Sequence, residues 1–278
     1  MAASIEAYTV NDQSFDTEMF TIESVTQNTP LKRGDNLIPA MDHGLRFREK
    51  RMGGRTESWA MWICDVDPAT GIPPSTKAAR RAQFHENWDT VMAILMTNHA
   101  ATGYDAPLKV VRTLKDNPSS PADMFRVNYG EVSGQINISD YRPNSYARFD
   151  VPILYMDPRW YEATSVAGNK ATTTLTADGT VYGTAMITDM TITLGNGSVT
   201  NPYIENVTTG SKLTFAANPG AAVTINTKNY TVVDGSTNSV GYLDRTGSDT
   251  TDWFRLVPGA NDFESNTTYS IAYTKAYI

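Results

Sequence analysis

The chain holds one cysteine, Cys64, and three histidines, His43, His85 and His99, in 278 residues. A single thiol closes no intrachain disulfide and builds no cysteine-only metal site. The histidines lack the i, i+4 spacing with which a helix presents two imidazoles to zinc. Apolar runs are short: "VMAILM" (residues 91–96) falls far below the roughly 20 residues a membrane-spanning helix needs, so no membrane association is expected. The N-terminal "MAASIEAYTV" has neither the basic region nor the apolar core of a secretory signal. Positive charge is also scarce, with 23 Lys and Arg against 30 Asp and Glu and a net charge of −7. Gripping nucleic acid by its phosphates needs clustered Lys and Arg. No stable nucleic-acid binding is therefore expected, although "KAARRAQ" (residues 77–83) is a local basic stretch.

Catalytic patterns are missing as well. There is no G-x-S-x-G elbow, and Cys64 sits inside "WAMWIC", where it reads as a small buried hydrophobe. His43, in "MDHGLRF", has no nameable nucleophile or metal partner; His85 and His99 fall on or beside a helix as surface groups. Asp65 and Asp67 lie two apart in "CDVDPATG", which lacks the further oxygen ligands, central Gly and terminal Glu of a calcium loop. None of the Gly-containing turns has the Lys, or the strand–loop–helix order, of a phosphate loop. Asp249, Asp252, Asp262 and Glu264 make an acidic C-terminal region that reads as a solvated face. The sequons at Asn196 and Asn206 matter only in a secreted protein. No catalytic, metal or cofactor-binding residue is assigned, and no cofactor is expected.

What is present is enough apolar material for a core, 40% hydrophobic against 19% charged. Composition changes near residue 163. Before it lie all the His, the Cys and four of the five Trp; after it Thr, Gly and Asn dominate. The small polar stretch "EATSVAGNK" (residues 162–170) has linker character, dividing the chain into residues 1–162 and 163–278. In the first part, "MFTIESV" (19–25) reads as a strand with Phe20 and Ile22 on one face, and "ESWAMWICDV" (57–66) as a nearly continuous buried strand. A long irregular segment, residues 26–54, lies between them. One helix is predicted over 75–98, because Phe84, Trp88, Val91 and Leu95 share a face and Ser75 or Thr76 supplies a cap. Residues 108–114, 124–138 and 147–162 read as further strands, with Pro152 marking an edge or bulge. The second part reads as β throughout, with short strands punctuated by "GNG", "TTG", "NPG", "DG" and "PGAN", a pattern that points to a sandwich. Trp160, Tyr161, Tyr182, Tyr203, Tyr230, Tyr242 and Trp253 are candidate sugar-stacking rings, against the commoner role of such residues in β-domain cores.

The order of five stretches is more specific than any one of them: "NLIPAMDHG" (36–44), "DPRWYE" (157–162), "TNPYIENVTTGSKLTF" (200–215), "AVTINTKNYTVV" (222–233) and "DWFRLVPGANDF" (252–263). Together they resemble the distal tail proteins of long-tailed, non-contractile bacteriophages, most closely from Asp157 onward. "DPATGIPPSTKAARR" (67–81) is longer than the connection usual in that family. The resemblance implies a mainly β chain with one principal helix (α+β): a belt domain at 1–162 and a galectin-like β-sandwich at 163–278. It implies a structural virion protein at the distal end of the tail, not an enzyme. Six copies would form a ring joining the tail tube to the tip hub or baseplate, near the tape measure protein, with DNA passing through the lumen. A carbohydrate-binding module contacting host glycans is the alternative, and a glycosidase the third reading. On the implied arrangement, part of residues 26–54 is expected at a subunit interface.

Overall fold

The computed structural model describes residues 6–28, 32–33, 37–39, 45–47, 51–96, 107–114, 124–142, 145–164, 167–177, 179–195, 199–246 and 254–278. They form two compact units whose chain segments interleave. One contains Met1–Pro158 and Ala163–Asn169, the other Arg159–Glu162 and Lys170–Ile278. The fold is mainly β, built from antiparallel sheets, with one α-helix among the described residues.

The first unit is organised by an antiparallel sheet. Its strands run in the order Gln13–Ser14, Glu6–Val10, Leu108–Leu114, Met124–Val132, Tyr146–Tyr155, Arg55–Cys64 and Phe20–Gln27. Arg55–Cys64 is a half-buried strand, not the continuously buried one its composition suggests. Arg55, Glu57, Trp59, Met61 and Ile63 are buried and the residues between them are less so, because successive side chains leave opposite faces. The stretch read as one strand over 124–138 is two, Met124–Val132 and Asn137–Arg142, and both pair with Tyr146–Tyr155. Pro152 falls where one partner gives way to the other: Asp150 is the last residue opposite Asn137–Arg142, and Ile153 the first opposite Met124–Val132. Its missing N–H therefore costs no ladder bond there.

The helix spans Lys77–Met96, capped by Thr76, whose hydroxyl accepts the Ala79 N–H at 3.2 Å. Phe84, Val91 and Leu95 are buried as their spacing predicts, and Ile94 joins them. Trp88 is half-buried and packs on Phe149 at 5.3 Å between ring centroids. The periodicity does not reveal Asn87, also buried on this helix, whose amide donates to the carbonyls of Cys64 and Val66, both at 2.8 Å. Those bonds fasten the helix to the end of Arg55–Cys64. Within residues 26–54, Lys32–Arg33 pairs with Arg51–Met52 and Leu37–Pro39 with Leu45–Phe47. Residues 29–31, 34–36, 40–44 (with His43) and 48–50 of that segment, and also His99, Asn196, Asp249, Asp252 and Trp253, lie outside the described residues.

The second unit holds a six-stranded sheet ordered Thr173–Leu175, Tyr269–Tyr273, Met190–Leu194, Val223–Asn226, Thr231–Asp234 and Thr237–Asn238. A four-stranded sheet runs Leu243–Thr246, Ser211–Phe215, Tyr203–Asn206 and Phe263–Ser265, and Gly179–Val181 pairs with Gly259–Asn261. Tyr203–Asn206 and Ser211–Phe215 form the hairpin around "TTG", with Gly210 at φ +67°, a conformation that glycine adopts without steric cost. Tyr230 is an exposed turn residue at φ +55° between Val223–Asn226 and Thr231–Asp234. Residues 184–195 give the single strand Met190–Leu194 and an isolated bridge between Ile187 and Leu256. Trp160 and Tyr161 pair with Tyr277 and Ala276, which ties "DPRWYE" to the C-terminal strand of this unit.

Candidate functional surfaces

The groups examined for chemistry have structural surroundings. The Cys64 thiol donates to the Glu18 carbonyl at 3.0 Å, and burial pushes it above the ordinary thiol range, the reverse of an activated nucleophile. His85 is exposed on the helix and meets Phe84 edge-on. Asp65 is buried 3.6 Å from the Arg80 guanidinium, while Asp67 accepts the Ala69 N–H at 2.8 Å and closes a turn. Asp262 and Glu264 are exposed. Among the described residues no three His, Cys, Asp or Glu gather as a metal site.

One charged cluster is buried in the first unit. Glu57 is 1% exposed and Arg55 7%. Glu57 Oε2 accepts from the Trp59 indole and the Tyr155 hydroxyl, both at 3.2 Å, and Oε1 lies 3.7 Å from Arg55 Nε. Arg55 also donates to Gln27 Oε1 at 2.7 Å. Burial holds the Glu57 carboxyl above its ordinary value of 4.5, against the opposing pull of Trp59, Arg55 and Tyr155. A carboxyl with a raised folded-state value binds its proton more tightly when folded than when unfolded. Its contribution to stability is complete below the unfolded value and declines as pH rises toward the folded one. Glu57→Gln removes that titration. We expect the stability of the variant relative to the native chain to rise with pH from the ordinary carboxylate range upward. Urea midpoints of both chains across that range check this, and a pH-independent difference would contradict it.

In the second unit, the stretches that carry the family resemblance turn out to hold loops in place. Asn261 (1% exposed) accepts from the Val257 N–H at 3.1 Å and from the Asn206 amide at 3.0 Å. Its own amide donates to the carbonyls of Val257 (2.8 Å) and Gly259 (3.0 Å). Asn206, fully buried, also donates to the Arg255 carbonyl at 2.9 Å. The buried Thr227 hydroxyl accepts from the Met190 N–H at 2.9 Å and donates toward the carbonyls of Thr188 (2.5 Å) and Met190 (3.1 Å). Glu162 pairs with Lys275 at 3.0 Å. Asparagine suits position 261 because one side chain supplies both donor and acceptor groups to nearby backbone, whereas Asn206 acts through its amide NH₂ alone.

The candidate sugar-stacking rings do not converge. Trp160 and Tyr161 are buried, and Lys170 Nζ stands 3.4 Å over the Tyr161 ring. Lys212 stands 3.9 Å over Tyr203, while Tyr182, Tyr230 and Tyr242 are exposed. Only Tyr161 among them lines the cleft of about 210 Å³ that opens on this unit, beside Lys170, Thr172, Asp189, Thr191, Asn226, Lys228 and Tyr273. The signal of this cleft in the sequence is two lysines 58 positions apart, Lys170 and Lys228.

Residues 182–277 match the family model described as siphovirus-type tail component, C-terminal domain. The chain is also similar in structure to the Dit protein of phage SPP1, described as a paradigm of the hub adsorption apparatus in phages infecting Gram-positive bacteria. The TM-score is 0.62 at 14% identity, covering 99% of this chain and 100% of that one. A chain of the phage P2 baseplate, in its calcium-activated conformation, aligns over 98% of both chains at 8% identity with a TM-score of 0.39. No curated protein sequence matches the chain. The chain thus shares the fold of a phage Dit protein over its length, and its residues 182–277 match the model of the siphovirus-type tail component C-terminal domain.

Proposed function

We propose that the protein is a structural component of the virion, acting at the distal end of a phage tail. The observation that carries this reading is the coincidence of the tail-component model on residues 182–277 with a Dit fold spanning the chain. On this reading residues 1–162 are a belt domain, six copies of which close a ring by heterologous contacts, and residues 163–278 are a galectin-like sandwich carried outside it. The ring joins the tail tube to the tip hub or baseplate, close to the tape measure protein, and DNA passes through its lumen. A channel for DNA must not retain phosphate, and the net charge of −7 suits a neutral or negative wall. The buried clamps of the second unit support a scaffolding role, since they spend its buried polar groups on holding backbone.

The test is the copy number and placement of the chain in an intact tail tip imaged by electron microscopy, with the mass of the purified chain in solution beside it. Six copies around the axis at the tube end, and a solution species near six times 30.5 kDa, are expected. A tip with the chain in single copy, or a collar of Lys and Arg facing the lumen, would overturn the corresponding part.

A further inference from the structure

The geometry points to an anion-recognition cleft on the outer face of the six-stranded sheet, suited to a phosphate or carboxylate carried on a sugar or polyol. The proposal is independent of ring assembly.

The floor is set by strand register. Thr174, Ala272, Thr191, Asn226 and Thr231 are successive partners across five strands. Their neighbours Ile271, Ile192, Ile225 and Val232 are buried, so alternation turns this row to the opposite face. The floor is low at Ala272 and otherwise carries short polar groups. The walls rise around Ala272, Thr191 and Asn226: Tyr161, Lys170 and Thr172 line the cleft from one segment, Asp189 and Lys228 from two others.

The charges have identifiable states. Lys170 faces the Tyr161 ring at 3.4 Å, a cation–π contact that an ammonium makes in its charged form. Lys228 is exposed and has no hydrogen-bond or ion-pair partner among the described residues. The opposing charge is Asp189, whose Oδ1 accepts from the Thr188 hydroxyl at 3.2 Å. The Asn226 carbonyl oxygen is taken by the Asn229 N–H at 2.9 Å, which leaves the amide NH₂ as its donor. Two ammonium groups, an amide donor and threonine hydroxyls form a donor-rich set in a chain that is acidic overall. Such a set recognises an anionic group and the hydroxyls beside it. At about 210 Å³ the cleft takes one head group, not a drug-sized ligand. Stacking on Tyr161 is not its mode of recognition, because Lys170 already occupies a face of that ring.

Isothermal titration of the full chain with glycerol 3-phosphate and with glucuronate tests this, with inorganic phosphate and glucose as references. Both anionic polyols should bind more tightly than inorganic phosphate, and glucose should not bind measurably. Lys228→Gln and Lys170→Gln should each weaken binding at least about tenfold, the scale of one charge-assisted hydrogen bond. Asp189→Asn should strengthen it by removing the like charge. Lys228 is exposed, so its variant folds and keeps the test decisive if the Lys170 variant does not. Overturning outcomes are no binding of either anionic ligand, equal binding of glucose, equal binding of inorganic phosphate, or binding unchanged in Lys228→Gln.

Discussion

Replacing Asn261 by alanine is expected to destabilise the C-terminal unit by about 3–5 kcal/mol, since each buried group left unpaired costs about 1–3 kcal/mol. The truncation strands the Val257 N–H and removes one of the two acceptors of the Asn206 amide. It also deprives the Val257 and Gly259 carbonyls of their side-chain donor. Leucine, similar in volume, should do no better, because the loss is of hydrogen bonds and not of packing. The urea midpoint should fall with little change in slope, and amide exchange should accelerate across residues 254–262 before the rest of the unit. Adding Asn206→Ala should cost less than the sum of the two single changes, because the pair share one bond. An Asn261→Ala chain within about 1 kcal/mol of the native one would show that the loop satisfies its backbone without this clamp.

Trp59→Ala is the matching experiment in the first unit, with an expected cost of about 3–5 kcal/mol. The indole is fully buried, 5.6 Å from the Tyr8 ring and 6.5 Å from Phe15, and it donates to buried Glu57. Its removal opens a cavity between strands distant in sequence and takes a hydrogen bond from a buried carboxylate. Trp59→Phe separates these terms: it keeps much of the packing, loses the N–H, and should cost about 1–3 kcal/mol. Urea unfolding of the three chains checks the order. If phenylalanine were as damaging as alanine, the hydrogen bond to Glu57 would dominate. If alanine cost under about 1 kcal/mol, Trp59 would not be part of a close-packed core.

These two residues show which parts of the fold were legible in the sequence. Trp59 lies in an apolar stretch whose burial was evident, yet the stretch looked uniformly buried and concealed that Glu57 lies on the same inward face as Trp59. Periodicity reports side-chain polarity, and Glu57 breaks the pattern because Tyr155 comes beside it only after strand pairing, whereas Arg55 shares its face two residues earlier. The helix was visible from Phe84, Val91 and Leu95, whereas Asn87, polar and mid-helix, gave no sign that it anchors the helix to residues 64 and 66. The stretches that suggested the tail-protein family did so before their physical role was visible. That role is backbone clamping by Asn206, Thr227 and Asn261. The cleft was not legible at all, because Lys170, Asp189 and Lys228 come from three separate segments.

By itself the sequence determined the class of the protein: mainly β, one helix, poor in nucleophiles and soft metal ligands, acidic overall, with the turn at Gly210 and a helix cap at Ser75 or Thr76. These are local properties, set by side-chain alternation, turn chemistry and charge within a few residues. Only the tertiary structure decided that residues 160–161 pair with 276–277, that an asparagine pair 55 residues apart locks the loop before Asn261, and that two lysines share a cleft. Each of these depends on register between strands far apart in the chain. A shift of one residue would turn every side chain to the other face, and only packing of the whole unit selects the register that buries the right one.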